Sequence, residues 1–269
     1  MDALRAALKS DGSVTLDIAA LEMASIETPG LDPAASLKTL DKLAADLRSR
    51  LPQHADGALF VRSANTYLFD ELNFTGNESA YHDPRNSCLD QVLDRRTGIP
   101  ITLSVVYIEI ARRLERPVAG VGLPGHFVVR YDDGSYSTYI DPFHRGALLS
   151  EEDCRFMARE ITGEEPGASA LAPVGTRYIL VRMLNNLRSA YFRSKQYPKV
   201  AAVMDLLLEA FPTNAEYYKA RGVARLNLRK FAAAKSDLEA YLNYEPNAED
   251  RKEITGQLEA IHRWLGRLN

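Results

Sequence analysis

The last third of the chain repeats with a period of 34 residues, and this period restricts the possible folds more than any other sequence feature. Pro212 and Pro246 end two apolar segments of similar pattern, YPKVAAVMDLLLEAFP and FAAAKSDLEAYLNYEP. Tyr197 and Phe231 recur at the same offset. Apolar residues at three- and four-residue spacing predict a helix in each segment. Two such units predict helix pairs that bury their apolar faces against their neighbours.

The period resembles that of tetratricopeptide repeats, which are helix–turn–helix units. The unit near 215–248 carries these motif residues: Tyr218, Gly222, Phe231, Ala234 and Pro246. The unit near 181–214 departs from the motif, because Arg188 replaces the small glycine and Val200 replaces an alanine. We therefore expect tetratricopeptide-like repeats over 175–269, with a capping helix from residue 249 onward. We predict a partner-binding surface at Tyr218, Arg221 and Arg225.

The rest of the chain changes from helical to mixed patterning. Residues 1–95 carry helical periodicity, and Asp32-Pro33 is a typical helix start. Within 96–165, ITLSVVYIEIARRLER is apolar over most of its circumference, which predicts a buried helix. VAGVGL, HFVVRY and STYIDPF follow as three short strands, which predict an antiparallel meander. The predicted fold class is α+β and mostly helical: a helical part that packs on a core with a small antiparallel sheet, and then helical repeats.

Composition excludes several classes of partner and compartment. The formal net charge is -3, so the chain as a whole has no basic field that attracts nucleic acid or anionic lipid. No apolar run approaches the roughly 20 residues that cross a bilayer. The N-terminus, MDALRAALKSDG, lacks the apolar core of a signal peptide. Cys88 and Cys154 form no CxxC pattern, so we expect a reducing, cytoplasmic compartment.

A histidine and an aspartate lie at matching ends of a predicted hairpin. In GLPGHFVVRYDDGSYSTYIDPFHRG, a Pro-Gly turn precedes His126, and the next strand ends at Asp141. A histidine oriented by an aspartate is two-thirds of a nucleophilic triad. A purely architectural pair that fixes the hairpin register is the alternative. His144 lies close by, but a His–Asp–His set with these gaps is a weak metal signal, and we predict no metal and no cofactor.

With these parts in order, the chain resembles the bacterial SirB-type proteins, which join a transglutaminase-like core to tetratricopeptide repeats. Four segments carry the resemblance: NSCLDQVLDRRTGIPITLSVVYIEIARRLERP, GLPGHFVVRY, YIDPFHRGALLS and RMLNNLRSAYF. The resemblance implies a cysteine nucleophile at the start of the buried helix, with His126 as base and Asp141 as its orienting group. The implied cysteine position is near Pro100, within GIPITLS, which contains no cysteine.

Two hydroxyls and two thiols are the candidates that replace the missing nucleophile. Thr102 and Ser104 lie in the first turn of the buried helix, where a hydroxyl also caps or packs. Cys88 precedes the expected position by about a dozen residues, and an inert core thiol is the simpler interpretation. Cys154 lies beyond the hairpin in another predicted helix.

Three functions are consistent with these features. The first is a non-catalytic interaction protein in which His126 and Asp141 are vestigial and the repeats bind a protein or peptide of unknown identity. The alternative is an acyl-transfer enzyme or amide hydrolase that uses Ser104 or Thr102 with the His–Asp pair. The third is a regulatory factor that binds a small ligand or chain terminus in the old cleft. The missing thiol favours the first, because an unassisted hydroxyl is scarcely ionised at neutral pH.

Overall fold

The computed structural model describes residues 1–10, 12 and 14–266, and it confirms the α+β, mostly helical fold class. The chain divides into two compact units, Met1–Met183 and Leu184–Asn269. No helix among the described residues is long and apolar enough to cross a membrane.

The first unit begins with helices, as predicted. These are α1 (Asp2–Lys9), α2 (Leu16–Ala24), α3 (Pro33–Arg50), α4 (Gly57–Asn65), a π-helical turn at Thr66–Glu71, a 3₁₀ turn at Pro84–Ser87 and α5 (Leu89–Arg95). The predicted start of α3 is confirmed, because the Asp32 side chain accepts a hydrogen bond from the Ala34 N–H and Pro33 occupies the first helical position. Both features suit a helix start, where the first N–H groups have no helical partner.

The buried helix and the predicted meander form the centre of this unit. The buried helix is α6 (Pro100–Arg113), and α7 (Glu151–Thr162) follows the sheet. The strands are β1 (Thr75–Gly76), β2 (Thr97–Gly98), β3 (Val118–Leu123), β4 (His126–Asp132), β5 (Ser137–Asp141), β6 (Ala147–Leu149) and β7 (Pro173–Val174). Strands β1 and β2 pair in parallel, and the other five form one antiparallel sheet in the order β6-β5-β4-β3-β7. The three predicted strands are therefore its middle members, and α6 packs on β3 and β4.

Helix α6 is tied to α2 by buried charges. The carboxylate of Glu109 lies 2.7 Å from Arg112 and 2.8 Å from Arg113, three and four residues further along the same helix. The carboxylate of Asp17, on α2, pairs with the same two guanidinium groups, and it lies 3.2 Å from that of Arg112 and 2.6 Å from that of Arg113. Arg113 also reaches the exposed carboxylate of Asp41, at 2.7 Å. Two buried carboxylates and two arginines thus join the N-terminal helices to the core.

The second unit consists of the predicted repeats. Its helices are the end of α8 (Thr176–Arg193), α9 (Tyr197–Ala210), α10 (Ala215–Asn227), α11 (Phe231–Tyr244) and α12 (Arg251–Gly266). Gly222 permits α10 and α11 to approach closely, because a Cβ there would lie 2.9 Å from Leu238 and 3.2 Å from Cβ of Asp237. The predicted capping helix is α12, and residues 267–269 lie outside the described residues.

Candidate functional site

The hairpin of β4 and β5 brings His126 and Asp141 together. A turn at Gly125, with φ +65°, places His126 at the first position of β4, and Asp141 is the last residue of β5. Nε2 of His126 lies 2.7 Å from Oδ2 of Asp141. The two side chains are 11% and 2% exposed, respectively. The predicted pairing is therefore a nearly buried hydrogen bond.

Asp141 has a second histidine partner. Nδ1 of His144 lies 2.7 Å from the same Oδ2. The other carboxylate oxygen, Oδ1, accepts the backbone N–H groups of Phe143 at 3.0 Å and His144 at 3.3 Å. Burial opposes ionisation of Asp141, but hydrogen bonds and charge from His126 and then His144 outweigh it and hold the pKa of this carboxyl below its ordinary value. One oriented carboxylate thus serves two imidazoles.

Phe143 packs against both imidazoles, whose own ring centroids lie 5.6 Å apart. Its ring meets His126 edge-on at 6.1 Å and His144 edge-on at 5.1 Å between centroids. The backbone carbonyl of Phe143 accepts the N–H of Gly76 at 3.2 Å. A Cβ on residue 76 would lie 2.7 Å from that carbonyl oxygen and 2.6 Å from the ring. Only glycine fits this approach, so strand β1 helps to set the position of Phe143.

Neither predicted hydroxyl nucleophile forms a hydrogen bond with His126. Thr102 and Ser104 are fully buried on α6, and their hydroxyls have no hydrogen-bond partner in the described part of the chain. Of the two roles expected of these hydroxyls, capping and packing, capping is absent, because the helix begins at Pro100 with Ile99 as its N-cap and has no side-chain cap. Proline removes one of the N–H groups that a cap would satisfy, so the first turn needs less capping. Both hydroxyls pack in the core, two and four residues beyond the helix start.

The two thiols are also buried. Cys88 is the N-cap residue of α5, and its Sγ lies 3.5 Å from the carbonyl oxygen of Pro84. Cys154 lies on α7 and is buried in a hydrophobic cluster with Val121, Leu123 and Val128 of the sheet. Burial is the main cause that raises the pKa of Cys154 to about 12, so this thiol carries almost no thiolate at neutral pH.

The predicted repeat residues Arg221 and Arg225 form ion pairs inside the second unit. Arg221 lies 2.8 Å from the buried Asp237 and 2.7 Å from Asp205. Arg225 lies 2.8 Å from Asp237 and 3.5 Å from Asp205. The Tyr218 ring stacks on Tyr244 at 5.5 Å. Both arginines join α10 to its neighbours α9 and α11, and a role in partner binding stays a prediction for all three residues.

A different pair of arginines lines a groove on this unit. The groove is about 480 Å³ and lies between α8 and α10. It is lined by Arg188, Ser189, Phe192, Arg193, Glu216, Lys219, Ala220 and Val223. Arg188 and Arg193 make no ion pair with any described residue, whereas Lys219 pairs with Asp250 at 2.6 Å. The departure from the repeat motif at residue 188 was the sequence signal for this groove, because a guanidinium stands where the motif has glycine.

Two family models match the chain. A model of the transglutaminase-like superfamily matches residues 34–185, and a tetratricopeptide repeat model matches residues 187–259. A UPF0162 protein of Xylella fastidiosa is 38% identical over 255 residues, which are 92% of this chain and 90% of the relative. Protein SirB1 of Salmonella typhimurium is 23% identical over 202 residues, which are 72% and 73% of the two chains. The chain belongs to the SirB-type family.

The transglutaminase-like core of this SirB-type protein also has relatives in longer chains. F-box only protein 21 of Homo sapiens is 33% identical over 163 residues, which are 56% of this chain and 25% of the relative. Within the SirB-type core, the position that the resemblance implies for the thiol coincides with the start of α6 at Pro100. The core thus has a histidine and an aspartate in hydrogen-bond contact and a proline where the superfamily nucleophile is expected.

Proposed function

We propose that this protein is a non-catalytic interaction protein, in which a transglutaminase-like core has lost its nucleophile and the repeats bind an acidic segment of a partner protein. One observation carries the proposal: the ring of His126 makes its hydrogen bond to Asp141 and none to any described hydroxyl or thiol. A general base must lie within roughly 2.6–3.2 Å of the proton that it takes. Among the described residues, the base therefore has no hydroxyl or thiol in position to give up a proton.

The chemistry of the groove supports an acidic partner. Arg188 and Arg193 present two guanidinium groups without ion pairs to described residues, beside the apolar side chains of Phe192 and Val223. Guanidinium groups bind carboxylates through paired, charge-assisted hydrogen bonds, and the apolar residues add contact area. An extended or helical peptide with carboxylate side chains or a free C-terminus matches this combination.

The two cysteines support a reducing compartment such as the cytoplasm for this activity. Neither forms a disulfide, and both are buried. Proteins of oxidising compartments more often use their cysteines in disulfides.

Binding of charge-matched peptides tests the proposal. Fluorescence anisotropy would compare acidic, neutral and basic peptides of equal length on the full chain. We expect the acidic peptides to bind the most tightly, and an Arg188→Glu/Arg193→Glu double variant to weaken them by at least about tenfold, the effect of roughly 1.4 kcal/mol. Lys252→Glu, a charge reversal on α12 outside the groove, is the control. Equal affinity for all three peptide classes would reject the acidic partner.

The intact His126–Asp141 hydrogen bond favours one alternative, an amide hydrolase or acyl-transfer enzyme. That enzyme would use Ser104 or Thr102 as nucleophile after a rearrangement of the first turn of α6. Assays with amide and ester substrates, run on the wild type and on Ser104→Ala, Thr102→Ala and His126→Ala, separate the two functions. Turnover that His126→Ala abolishes without loss of fold would establish the enzyme and refute the non-catalytic proposal.

A further inference from the structure

The cluster of His126, Asp141 and His144 brings three potential metal-ligand atoms together. The ligand atoms of the three side chains all lie within 4.8 Å of one another. Nε2 of His126 and Nδ1 of His144 both lie 2.7 Å from Oδ2 of Asp141. We propose that this cluster binds one divalent transition-metal ion of the Zn²⁺ type, with these two nitrogens and the Asp141 carboxylate as ligands. The inference is independent of partner binding by the repeats.

The donor set suits this class of ion. Imidazole nitrogens and a carboxylate oxygen bind Zn²⁺ at about 2.0–2.2 Å, and a tetrahedral ion with such bonds separates its ligand atoms by about 3.3 Å. The two 2.7 Å contacts must therefore open by about 0.6 Å to admit the ion. His144 provides the movement, because its side chain is 52% exposed, whereas His126 and Asp141 are held in the sheet.

The surroundings of the cluster resemble those of a built metal site. The backbone N–H groups of Phe143 and His144 fix Oδ1 of Asp141, which orients the other oxygen toward the imidazoles. Such hydrogen bonds to a ligating carboxylate set its direction and its affinity. The ring of Phe143 packs edge-on against both imidazoles and gives the site one apolar neighbour.

The free ring nitrogens permit the required change of tautomer. Nδ1 of His126 and Nε2 of His144 make no hydrogen bond to any residue that the structure describes. Each neutral imidazole can therefore carry its proton on that outer nitrogen while the inner nitrogen binds the ion. Arg182, the nearby cation, donates to the backbone carbonyl of His126 at 2.6 Å and not to its ring.

Three protein ligands leave one tetrahedral position open. Catalytic zinc sites keep that position for water or substrate, whereas closed structural sites fill it with a fourth side chain. In the present site, the half-exposed His144 places the open position toward solvent, where a carboxylate or water can occupy it. The inference concerns binding of the ion alone and includes no reaction.

Co²⁺ is the probe for the test, because its visible absorption reports a tetrahedral nitrogen and oxygen environment. The untagged full chain, stripped of metal with a chelator, is titrated with Co²⁺ and then with Zn²⁺ in competition, and equilibrium dialysis gives the stoichiometry. We expect one saturable site per chain with a tetrahedral spectrum that Zn²⁺ removes. The absence of such a site in the wild type would overturn the proposal.

Single substitutions test whether the three residues of the cluster bind the ion. Asp141→Asn, His126→Ala and His144→Ala should each weaken Co²⁺ binding by more than the roughly 10- to 100-fold that loss of a residue orienting a ligand costs. His82→Ala, which removes an exposed imidazole outside the cluster, should leave the affinity and the spectrum unchanged. If His126→Ala fails to fold, His144→Ala still decides, because its side chain is half exposed. Binding that survives His144→Ala and Asp141→Asn would refute the site.

Discussion

At the scale of single residues, the same kind of side chain behaves differently according to its partners. Asp17 and Glu109 are both buried and both face Arg112 and Arg113. Burial dominates at Glu109 and raises the pKa of its carboxyl. Burial also opposes ionisation of Asp17, but hydrogen bonds from Thr15 and Arg113 outweigh it and lower the pKa of this carboxyl. Asp17 is therefore the carboxylate whose charge stabilises the fold.

Replacement of Asp17 should destabilise the protein in a pH-dependent way. The folded-state pKa of Asp17 lies below the unfolded value of about 3.9, so its stabilisation is present above that pH and is lost as the pH falls through the folded pKa. We expect Asp17→Asn to lower the free energy of unfolding by about 3 kcal/mol at pH 7, because it leaves Arg113 with one buried partner fewer. Urea unfolding at pH 7 and pH 3 measures this difference.

The comparison variant is Asp41→Asn. Asp41 contacts the same guanidinium, but its side chain is 66% exposed, and exposed pairs contribute at most about 1 kcal/mol. The difference between wild type and Asp17→Asn must shrink toward pH 3. A difference that stays constant or grows in acid would contradict the assignment of the stabilising charge to Asp17.

At the scale of secondary-structure elements, two glycines in helices have opposite surroundings. Gly222 lies in the contact between α10 and α11, where a Cβ would meet Leu238 and Asp237. Gly256 lies in α12, and a Cβ there would have no neighbour within 4 Å. Alanine is favoured over glycine in a helix by about 0.8–1 kcal/mol. A substitution at residue 256 therefore measures helix propensity alone, whereas one at residue 222 measures propensity and packing together.

Alanine substitutions at these glycines should therefore have opposite effects. Gly256→Ala should raise the free energy of unfolding by about 0.5–1 kcal/mol, because helix propensity acts alone. Gly222→Ala should lower it by about 1 kcal/mol, because overpacking costs typically 1–3 kcal/mol and exceeds the gain in propensity. Thermal and urea unfolding, followed by circular dichroism, measure both effects. Stabilisation by Gly222→Ala would show that α10 and α11 separate without strain.

The sequence predicts elements better than it predicts partners. The start of α3 at Asp32-Pro33 and the helices of the repeats follow from local rules, and the structure contains both. Local rules left open whether Thr102 and Ser104 cap or pack, and in the structure they pack, because Pro100 sets the helix start ahead of both hydroxyls. Local patterns identify a helix terminus, but the hydrogen bonds inside a core depend on neighbours far along the chain.

The candidate site shows the same division. The pairing of His126 with Asp141 follows from two strands and one turn, and its geometry is a hydrogen bond. The link from His144 to the same oxygen depends on the turn after β5, which residue spacing does not specify. Arg221 and Arg225 resemble surface residues in the sequence, but Asp205 and Asp237 come from other helices and pair with them.

At the scale of the whole molecule, the modest net charge is the sum of two units whose net charges have opposite signs. Residues 184–269 hold 14 lysines and arginines against 10 aspartates and glutamates, a formal charge of +4. The whole chain carries -3, so residues 1–183 carry -7. The prediction of no basic field for the chain as a whole therefore coexists with a positive repeat unit. A positive unit attracts acidic segments at a distance greater than that of the groove contacts.

Salt should consequently weaken binding of an acidic peptide. The Debye length falls from about 10 Å at 0.1 M salt to about 3 Å at 1 M, which screens the field of the repeat unit and the exposed arginines. We expect the dissociation constant, measured by anisotropy, to rise steadily over this range for the wild type. The Arg188→Glu/Arg193→Glu variant should have a smaller slope. Affinity that is independent of salt would indicate apolar docking instead of charge recognition.

Gly76 is a position at which a mutation can disturb the cluster without changing any of its three polar residues. It brings no side chain to the cluster, yet its lack of one permits the close approach of the Phe143 carbonyl, one residue before His144. A single codon change at position 76 would displace that main chain while His126, Asp141 and His144 all stayed in place in the gene. Descendants of this gene can thus lose the geometry of the cluster while all three residues are retained. A sequence comparison that checks only His126, Asp141 and His144 would then score the cluster as intact.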